Sequence, residues 1–193
     1  AGMEVYLDVV YNHTGEGGTW GDADTRELTS FAGFANNSYY RLTADNQFYW
    51  DGTTGCGNQL NCTNTASRSL IADSLKYWIE QMGVDGFRFD LAPVIARNAD
   101  NSYSFEPSNQ AVISDITTMI STYDVEMIAE AWDCAGSYVS GFPAAWGDWN
   151  GDYRDVVRKF IKGDGYKPGT YYSFGDVFYG TYNGYYDGGA GGP

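Results

Sequence analysis

The stretch from Val84 to Asp90 reads VDGFRFD, a short apolar strand pattern that ends in a carboxylate. Two further stretches share this design, EVYLDVVYNH at residues 4–13 and VEMIAEAWD at residues 125–133. Strands of a parallel sheet are buried on both faces and are nearly all apolar. A charge at the end of such a strand is costly unless it is paired or takes part in chemistry. The three stretches therefore predict one site, built from acidic residues at the carboxyl ends of parallel strands.

The order of predicted elements favours an α/β architecture. Short apolar runs indicate strands, and helical spacing of apolar residues indicates helices, with Met82 and Ile161 among the residues expected to face the core. The predicted elements, in chain order, are a strand at 4–11, a long loop at 14–65, a helix at 66–82, a strand at 84–90, a helix at 108–123, a strand at 125–130, a helix at 152–162 and a short strand at 171–179. Such alternation predicts a parallel sheet covered by helices.

Length and charge limit the possible classes of function. A chain of 193 residues with 43% hydrophobic content can bury a core of its own. The formal net charge of −14 disfavours nucleic acids and anionic membranes as partners, and it tolerates a neutral sugar. No apolar run reaches about 18 residues, the length of a membrane span. Because the chain begins directly with a strand pattern, we expect residues 1–193 to be one partial domain, truncated at both ends.

Metal and disulfide chemistry are weakly indicated. His13 is the only histidine, and the three cysteines lack zinc-finger spacing, so we expect no structural zinc site. Cys56 and Cys62 form either a disulfide or two separate thiols, and their spacing leaves both alternatives open. The Asp-rich loop lacks the regular ligand spacing of a calcium loop. We therefore predict a protein that needs no cofactor.

Arg88 is expected to connect the acidic residues. It shares a strand face with Asp90, and it is the obvious partner for Asp8, whose charge lies within the first strand. A guanidinium beside Asp90 favours the charged carboxylate that a nucleophile requires. Glu130 lies between two alanines and near Trp132. Because an apolar setting raises the pKa of a carboxyl, Glu130 suits a general acid.

One ionised and one protonated carboxyl that face each other form the arrangement used to break glycosidic bonds. Plainer alternatives stay open for each residue. Asp8 and Arg88 could form a purely structural ion pair, and Asp90 or Glu130 alone could be a helix cap or a surface charge. The combination of all these groups favours a catalytic site.

Three motifs resemble signatures of the α-amylase superfamily of glycoside hydrolases. They are DVVYNH at 8–13, GFRFD at 86–90 and AEAW at 129–132, in the order in which they end the third, fourth and fifth strands of that superfamily's (β/α)₈ barrel. Other segments are similar to the isoamylase and glycogen-debranching branch, namely TGCGNQLN at 54–61, the segment 69–92 and WNGDYRDVVRKFIKGD at 149–164. The resemblance implies part of a (β/α)₈ barrel, from about the third to the sixth strand.

The resemblance also implies a reaction and a role for each site residue. It implies retaining hydrolysis of α-1,6 branch linkages in glycogen or amylopectin, with Asp90 as the nucleophile and Glu130 as the general acid/base. The residues expected to support these two or to contact the sugar are Asp8, Arg88, Tyr11, His13 and Trp132. Asn12 matches a position that binds calcium in some relatives, although debranching relatives need not keep that ion.

The chain departs from the family pattern in one respect. The family's fourth signature carries a further catalytic Asp, usually beside a histidine, and no segment here matches it. We therefore expect the 193-residue chain alone to be inactive. The alternatives are another α-glucan enzyme of the superfamily (an α-amylase, a branching enzyme or a glucanotransferase), a non-catalytic α-glucan-binding module, and a structural acidic domain.

Partners and location follow from composition and resemblance. The expected partner is an α-glucan polysaccharide, with neither nucleic acid nor membrane. The low lysine content, the many small polar residues and the possible cysteine pair favour a secreted or periplasmic location over a cytoplasmic one.

Overall fold

Four parallel strands form the central sheet of the protein in the computed structural model, which describes residues 2–17, 29–45, 48–50, 52–98, 104–107 and 110–162. The strands are hydrogen-bonded in the order β1 (Tyr6–Val9), β2 (Gly86–Phe89), β3 (Glu126–Glu130) and β6 (Gly147–Trp149). The three strands predicted at 4–11, 84–90 and 125–130 are confirmed with shorter bounds, whereas β6 was not predicted. The strand predicted at 171–179 lies outside the described residues.

Successive side chains of β2 alternate between the two faces of this sheet. Phe87 and Phe89 are buried in the core, together with apolar residues of the neighbouring helices. Arg88 points to the opposite face, where it meets acidic side chains from β1 and β3. One strand therefore supplies both the core and the site, and a register slip of one residue would exchange the two.

Five helices accompany the described strands. They are α1 (Asn36–Tyr39), α2 (Thr65–Met82), α3 (Ala92–Ile95), α4 (Ala111–Tyr123) and α5 (Gly151–Lys162). The side chain of Asn64 accepts a 2.9 Å hydrogen bond from the Ala66 N–H at the start of α2. Gly83 ends α2 with a φ of 68°, a conformation that costs glycine little. Among the residues that the structure describes, no helix is long and apolar enough to cross a membrane.

Two residues expected in the core are exposed. The side chains of Met82 and Ile161 are 56% and 78% exposed. Both lie in the last turn of their helices. Burial at a helix end requires a neighbouring element that extends equally far, and the period of the helix's own sequence carries no information about that neighbour.

The segment predicted as a long loop builds a small core of its own where it is described. It contains α1 and two pairs of bridging residues, Tyr40 with Leu60 and Leu42 with Tyr49. Tyr40, Tyr49 and Leu60 are buried, and the rings of the two tyrosines are 4.7 Å apart. The aromatic residues of this loop thus stabilise it as tertiary structure, since ring pairs add to the free energy gained from burial.

A short hairpin follows the third strand and holds a buried ion pair. Its strands are β4 (Trp132–Asp133) and β5 (Gly136–Ser137). Asp133 accepts hydrogen bonds from Arg97 at 2.5 Å and 3.1 Å, and both side chains are fully buried. The other carboxylate oxygen accepts the Ala135 N–H at 2.8 Å. The pair connects the hairpin to the segment after α3.

Breaking this pair from one side should destabilise the protein strongly. Asp133→Ala leaves the Arg97 guanidinium buried without its counter-charge, so we expect a loss of about 3–5 kcal/mol in the free energy of unfolding. The double change Arg97→Met with Asp133→Leu removes both charges and should cost much less. Urea denaturation followed by circular dichroism measures both. Equal losses in the two variants would show that packing, rather than the uncompensated charge, sets the cost.

Candidate active site

Three adjacent strands place carboxylates toward their carboxyl ends, on one side of the sheet. Asp8 lies in β1, Asp90 directly follows β2, and Glu130 is the last residue of β3. The Asp90 N–H donates a 3.0 Å hydrogen bond to the Val9 carbonyl, which extends the β1–β2 pairing to the site. The parallel register therefore places side chains that are distant in sequence next to one another.

Arg88 bridges all three carboxylates. Its Nη1 lies 2.8 Å from Asp8 and 2.8 Å from Asp90, and its Nη2 lies 2.9 Å from Glu130. Only 12% of its side chain is exposed. Burial alone lowers the pKa of Arg88, but the hydrogen bonds to Asp8 and Asp90 and the charge of Glu130 raise it above the usual value. The guanidinium is thus a fixed positive charge at the centre of the acidic group.

Asp90 is held at both carboxylate oxygens. One oxygen accepts the hydrogen bond from Arg88. The other accepts a 2.9 Å hydrogen bond from Nδ2 of Asn12, and the same amide group donates a 2.8 Å hydrogen bond to the Asp90 carbonyl. Asn12 is completely buried. A carboxylate fixed from two sides keeps one orientation, as a nucleophile aimed at a substrate must.

Glu130 lies in a less polar setting. Its pKa is raised, first because its side chain is buried and also because of the hydrogen bond to Asp90 and the charge of Asp90. The Leu91 N–H donates to Glu130 at 2.7 Å and, like Arg88, lowers the pKa, but burial prevails. Leu91 has a φ of 41°, a left-handed conformation that is costly for a residue with a Cβ. A carboxyl with a raised pKa can hold the proton that a general acid donates.

Asp8 pairs with Arg88 but is more exposed than its place in a strand suggested. Its side chain is 65% exposed. The predicted pairing of Asp8 with Arg88 is confirmed. Within the described residues β1 pairs on one side only, with β2, and this leaves Asp8 accessible to water. Screening by water makes the Asp8–Arg88 pair a weaker interaction than the contacts of Arg88 with Asp90 and Glu130.

The described contacts of Tyr11 and Trp132 are with residues outside the acidic group. The hydroxyl of Tyr11 lies 2.9 Å from Oγ of Ser74 on α2, and burial raises the pKa of Tyr11. The ring of Trp132 lies under the guanidinium of Arg154, 5.3 Å from ring centroid to Cζ. Neither residue contacts Asp90 or Glu130 directly through a described hydrogen bond, so their expected sugar contacts stay predictions.

His13 and Asn12 form a pair at the end of the segment after β1. Nδ1 of His13 contacts Oδ1 of Asn12, while the amide of Asn12 holds Asp90. His13 thereby extends the network that begins at Arg88. Within the described ranges, no group of three or more His, Cys, Asp or Glu side chains could hold a metal ion. The calcium suggested for Asn12 and the expected lack of any cofactor stay predictions.

The structure decides whether Cys56 and Cys62 form a disulfide, which their spacing left open. Cys56, Cys62 and Cys134 form no disulfide in this structure. Cys62 is buried, which raises its pKa to about 12 despite the nearby charge of Arg41. A thiol with so high a pKa is a poor nucleophile, and Cys62 serves the core.

Sequence reasoning missed two contributors to the site, Leu91 and Trp149, and the role of a third, Asn12, which it had named only as a calcium candidate. Leu91 donates its backbone N–H to Glu130, and Asn12 orients Asp90. The ring centroid of Trp149 lies 4.5 Å from Cζ of Arg88. The backbone conformation of Leu91 cannot be inferred from its residue type. Trp149 belongs to β6, whose three residues carry no apolar period. Asn12 alone carried a signal, since it directly follows a strand that ends beside the other acids.

Comparison with known proteins identifies the family. A family model, described as the α-amylase catalytic domain, matches residues 1–174. The chain belongs to the α-amylase family. This membership confirms both the resemblance carried by the three motifs and the (β/α)₈ class of the fold, of which the four-stranded parallel sheet is a part.

Curated relatives of this α-amylase family chain come from bacteria and plants. It is 42% identical over 172 residues to an isoamylase from Flavobacterium sp., which covers 82% of this chain and 22% of the relative. It is 43% identical over 188 residues to "Isoamylase 1, chloroplastic" from Oryza sativa subsp. japonica, a match that covers 87% of this chain and 22% of the relative. A "Glycogen operon protein GlgX homolog" from Mycobacterium bovis is 42% identical over 166 residues, and the match covers 85% of this chain and 22% of the relative. The chain thus spans about a fifth of these relatives' length.

Solved structures of similar fold include pullulanases. The pullulanase of Anoxybacillus sp. LM18-11, complexed with maltotetraose, superposes with a TM-score of 0.58 at 28% identity, over 81% of this chain and 21% of that chain. The apo pullulanase of Paenibacillus barengoltzii gives a TM-score of 0.58 at 25% identity, over 81% and 22%. The site described above therefore lies on a fold shared with enzymes of this family.

The charge of Asp90 should control the proton affinity of Glu130. Asp90→Asn removes a negative charge that raises the pKa of Glu130, so that pKa should fall. The measurement is a ¹³C NMR titration of carboxyl-labelled glutamate, assigned with Glu130→Gln. Asp73→Asn, an exposed change on α2, is the matched control and should leave the pKa of Glu130 in place. A pKa that rises or stays constant in Asp90→Asn contradicts the described coupling of the two carboxyls.

Proposed function

We propose that the protein hydrolyses α-1,6 branch linkages of glycogen- or amylopectin-type α-glucans with retention of configuration. The observation that carries this proposal is the pair Asp90 and Glu130, on adjacent strand ends, bridged by Arg88. One carboxyl is fixed by two donors and the other has a raised pKa, which is the division of labour that glycoside hydrolysis requires.

The reaction proceeds in two displacements. Asp90 attacks the anomeric carbon, and Glu130 donates its proton to the glycosidic oxygen as the bond to that oxygen breaks. A covalent glycosyl ester on Asp90 results. Glu130, now a carboxylate, removes a proton from water, which attacks the same carbon and releases Asp90. Arg88 stabilises the negative charge that passes between the two carboxyls.

Branch linkages are favoured over main-chain linkages by the relatives. Relatives from Flavobacterium and rice are named isoamylases, and pullulanases are among the solved structures of similar fold. An α-amylase, a branching enzyme or a glucanotransferase is not favoured by these likenesses. Tyr11, His13 and Trp132 are proposed to contact the sugar.

The proposed partner is the α-glucan itself, and no cofactor is required for the two displacements. The maltotetraose in the Anoxybacillus pullulanase structure supports an α-glucan ligand for this fold. For location, the relatives offer no support for the predicted secreted or periplasmic preference, since rice relatives are named chloroplastic. Fractionation of the source cells, followed by immunodetection, tests that preference.

The decisive experiment compares amylopectin and amylose as substrates for the complete gene product that carries this chain. The wild type should release linear chains from amylopectin and leave amylose intact. Asp90→Asn should reduce release to background, and Glu130→Gln should lower it by about 10²–10⁴-fold. Asp73→Asn, remote on α2, should retain full activity.

Each other outcome has a defined meaning. Shortened amylose would overturn the linkage and retain the family's general chemistry. Binding of both glucans without hydrolysis would show that the protein is a non-catalytic binding module rather than an enzyme. Full activity in Asp90→Asn would overturn the assignment of the nucleophile.

A further inference from the structure

The hydrogen bonds of Arg88 all leave from one end of its guanidinium. Both Nη atoms are engaged by carboxylates, whereas the buried Nε has no hydrogen-bond partner. Donors at one end only fix the position of that end, and they leave the tilt of the planar group less restrained. A flat contact against the face of the guanidinium would supply the missing restraint.

Trp149 provides that contact. The Arg88 Cζ lies 4.5 Å from the centroid of its ring, well within the range of a cation–π interaction. Trp149 is the last residue of β6 and pairs in register with Glu130 on β3. Its side chain therefore reaches the same edge of the sheet as the acidic group, from the strand on the far side of Glu130.

Trp149 differs from the tryptophan three residues before it. Trp146 is buried in the core, and its ring contacts Phe89 and Phe142. The described ring contact of Trp149 is instead with a cation, Arg88. The electron-rich face of the indole is the feature of Trp149 that its surroundings use.

We propose that Trp149 is a positioning residue that holds the Arg88 guanidinium flat, and thereby holds Asp90 and Glu130 in their working arrangement. The part of this inference that concerns catalysis rests on the proposed hydrolysis, whereas the part that concerns Arg88 does not. Aromatic character at position 149 sets how firmly Arg88 engages Glu130.

The test changes the electron density of the ring and keeps its shape. Mono-, di- and trifluorotryptophan are incorporated at position 149 of the complete gene product, beside Trp149→Phe and Trp149→Leu. Fluorine withdraws electrons from the ring face, so kcat on amylopectin should fall stepwise along the series with little change in KM. Trp149→Leu should lose about three- to ten-fold in kcat, and Trp149→Phe should recover most of that loss.

A second readout does not depend on activity. Arg88 lowers the pKa of Glu130, so looser engagement should raise that pKa stepwise with fluorination in the carboxyl titration. The groups that face Glu130 in the titration are Arg88, Asp90 and the Leu91 N–H, and none of them is altered. Trp78 on α2, which contacts Tyr77 edge-on, is the control position for fluorination and should move neither readout.

The two proposals fail in different ways. If no variant, including the wild type, cleaves amylopectin, the proposed function falls, and the titration still decides the role of Trp149. A fluorination series that is flat in both kcat and the pKa of Glu130 would overturn the positioning role, because a residue that acts by shape alone gives that result. A loss in Trp149→Leu with a flat fluorination series would likewise assign Trp149 to packing.

Discussion

The site depends on a single buried guanidinium. Asp8, Asp90 and Glu130 come from three strands, and without Arg88 their charges would repel one another at the edge where the strands meet. The same residue lies between Phe87 and Phe89, whose burial fixes the register of β2. Core packing on one face therefore determines, through the alternation of the strand, where the positive charge stands on the other face. Stability and chemistry are coupled at this residue.

The parts that could be predicted from sequence are those determined by local pattern. VDGFRFD predicts a strand because its apolar residues fill a two-sided core, and it places Arg88 and Asp90 on one face because strands have a period of two. The parallel order follows from the helices between the strands. The raised pKa of Glu130 also follows in direction, although the structure adds the charge of Asp90 to the apolar setting that the sequence suggested.

The remainder depends on contacts between segments that are distant in sequence. β6 has three residues and takes its strand geometry from pairing with β3, so its own sequence shows no strand pattern. Within the described residues β1 lies at the edge of the sheet, and the exposure of Asp8 follows from that position rather than from the sequence of β1. The donor at Leu91 is a backbone N–H, whose use the residue type does not reveal. These features could not be predicted from the sequence alone.

The loop after β1 is hydrogen-bonded to the segment that holds Asp90, the proposed nucleophile. Asn58 accepts the Thr14 N–H at 2.9 Å and donates to the Thr14 carbonyl at 3.0 Å, and the Leu60 N–H donates to the Asn12 carbonyl at 3.0 Å. The segment TGCGNQLN at 54–61, which resembles one branch of the family, is thus hydrogen-bonded to the residues that orient Asp90. Asn12 is completely buried, so its position depends on the packing of the segments around it, including 54–61. The segment that resembles one branch of the family and the residues proposed to perform the chemistry are therefore joined by hydrogen bonds.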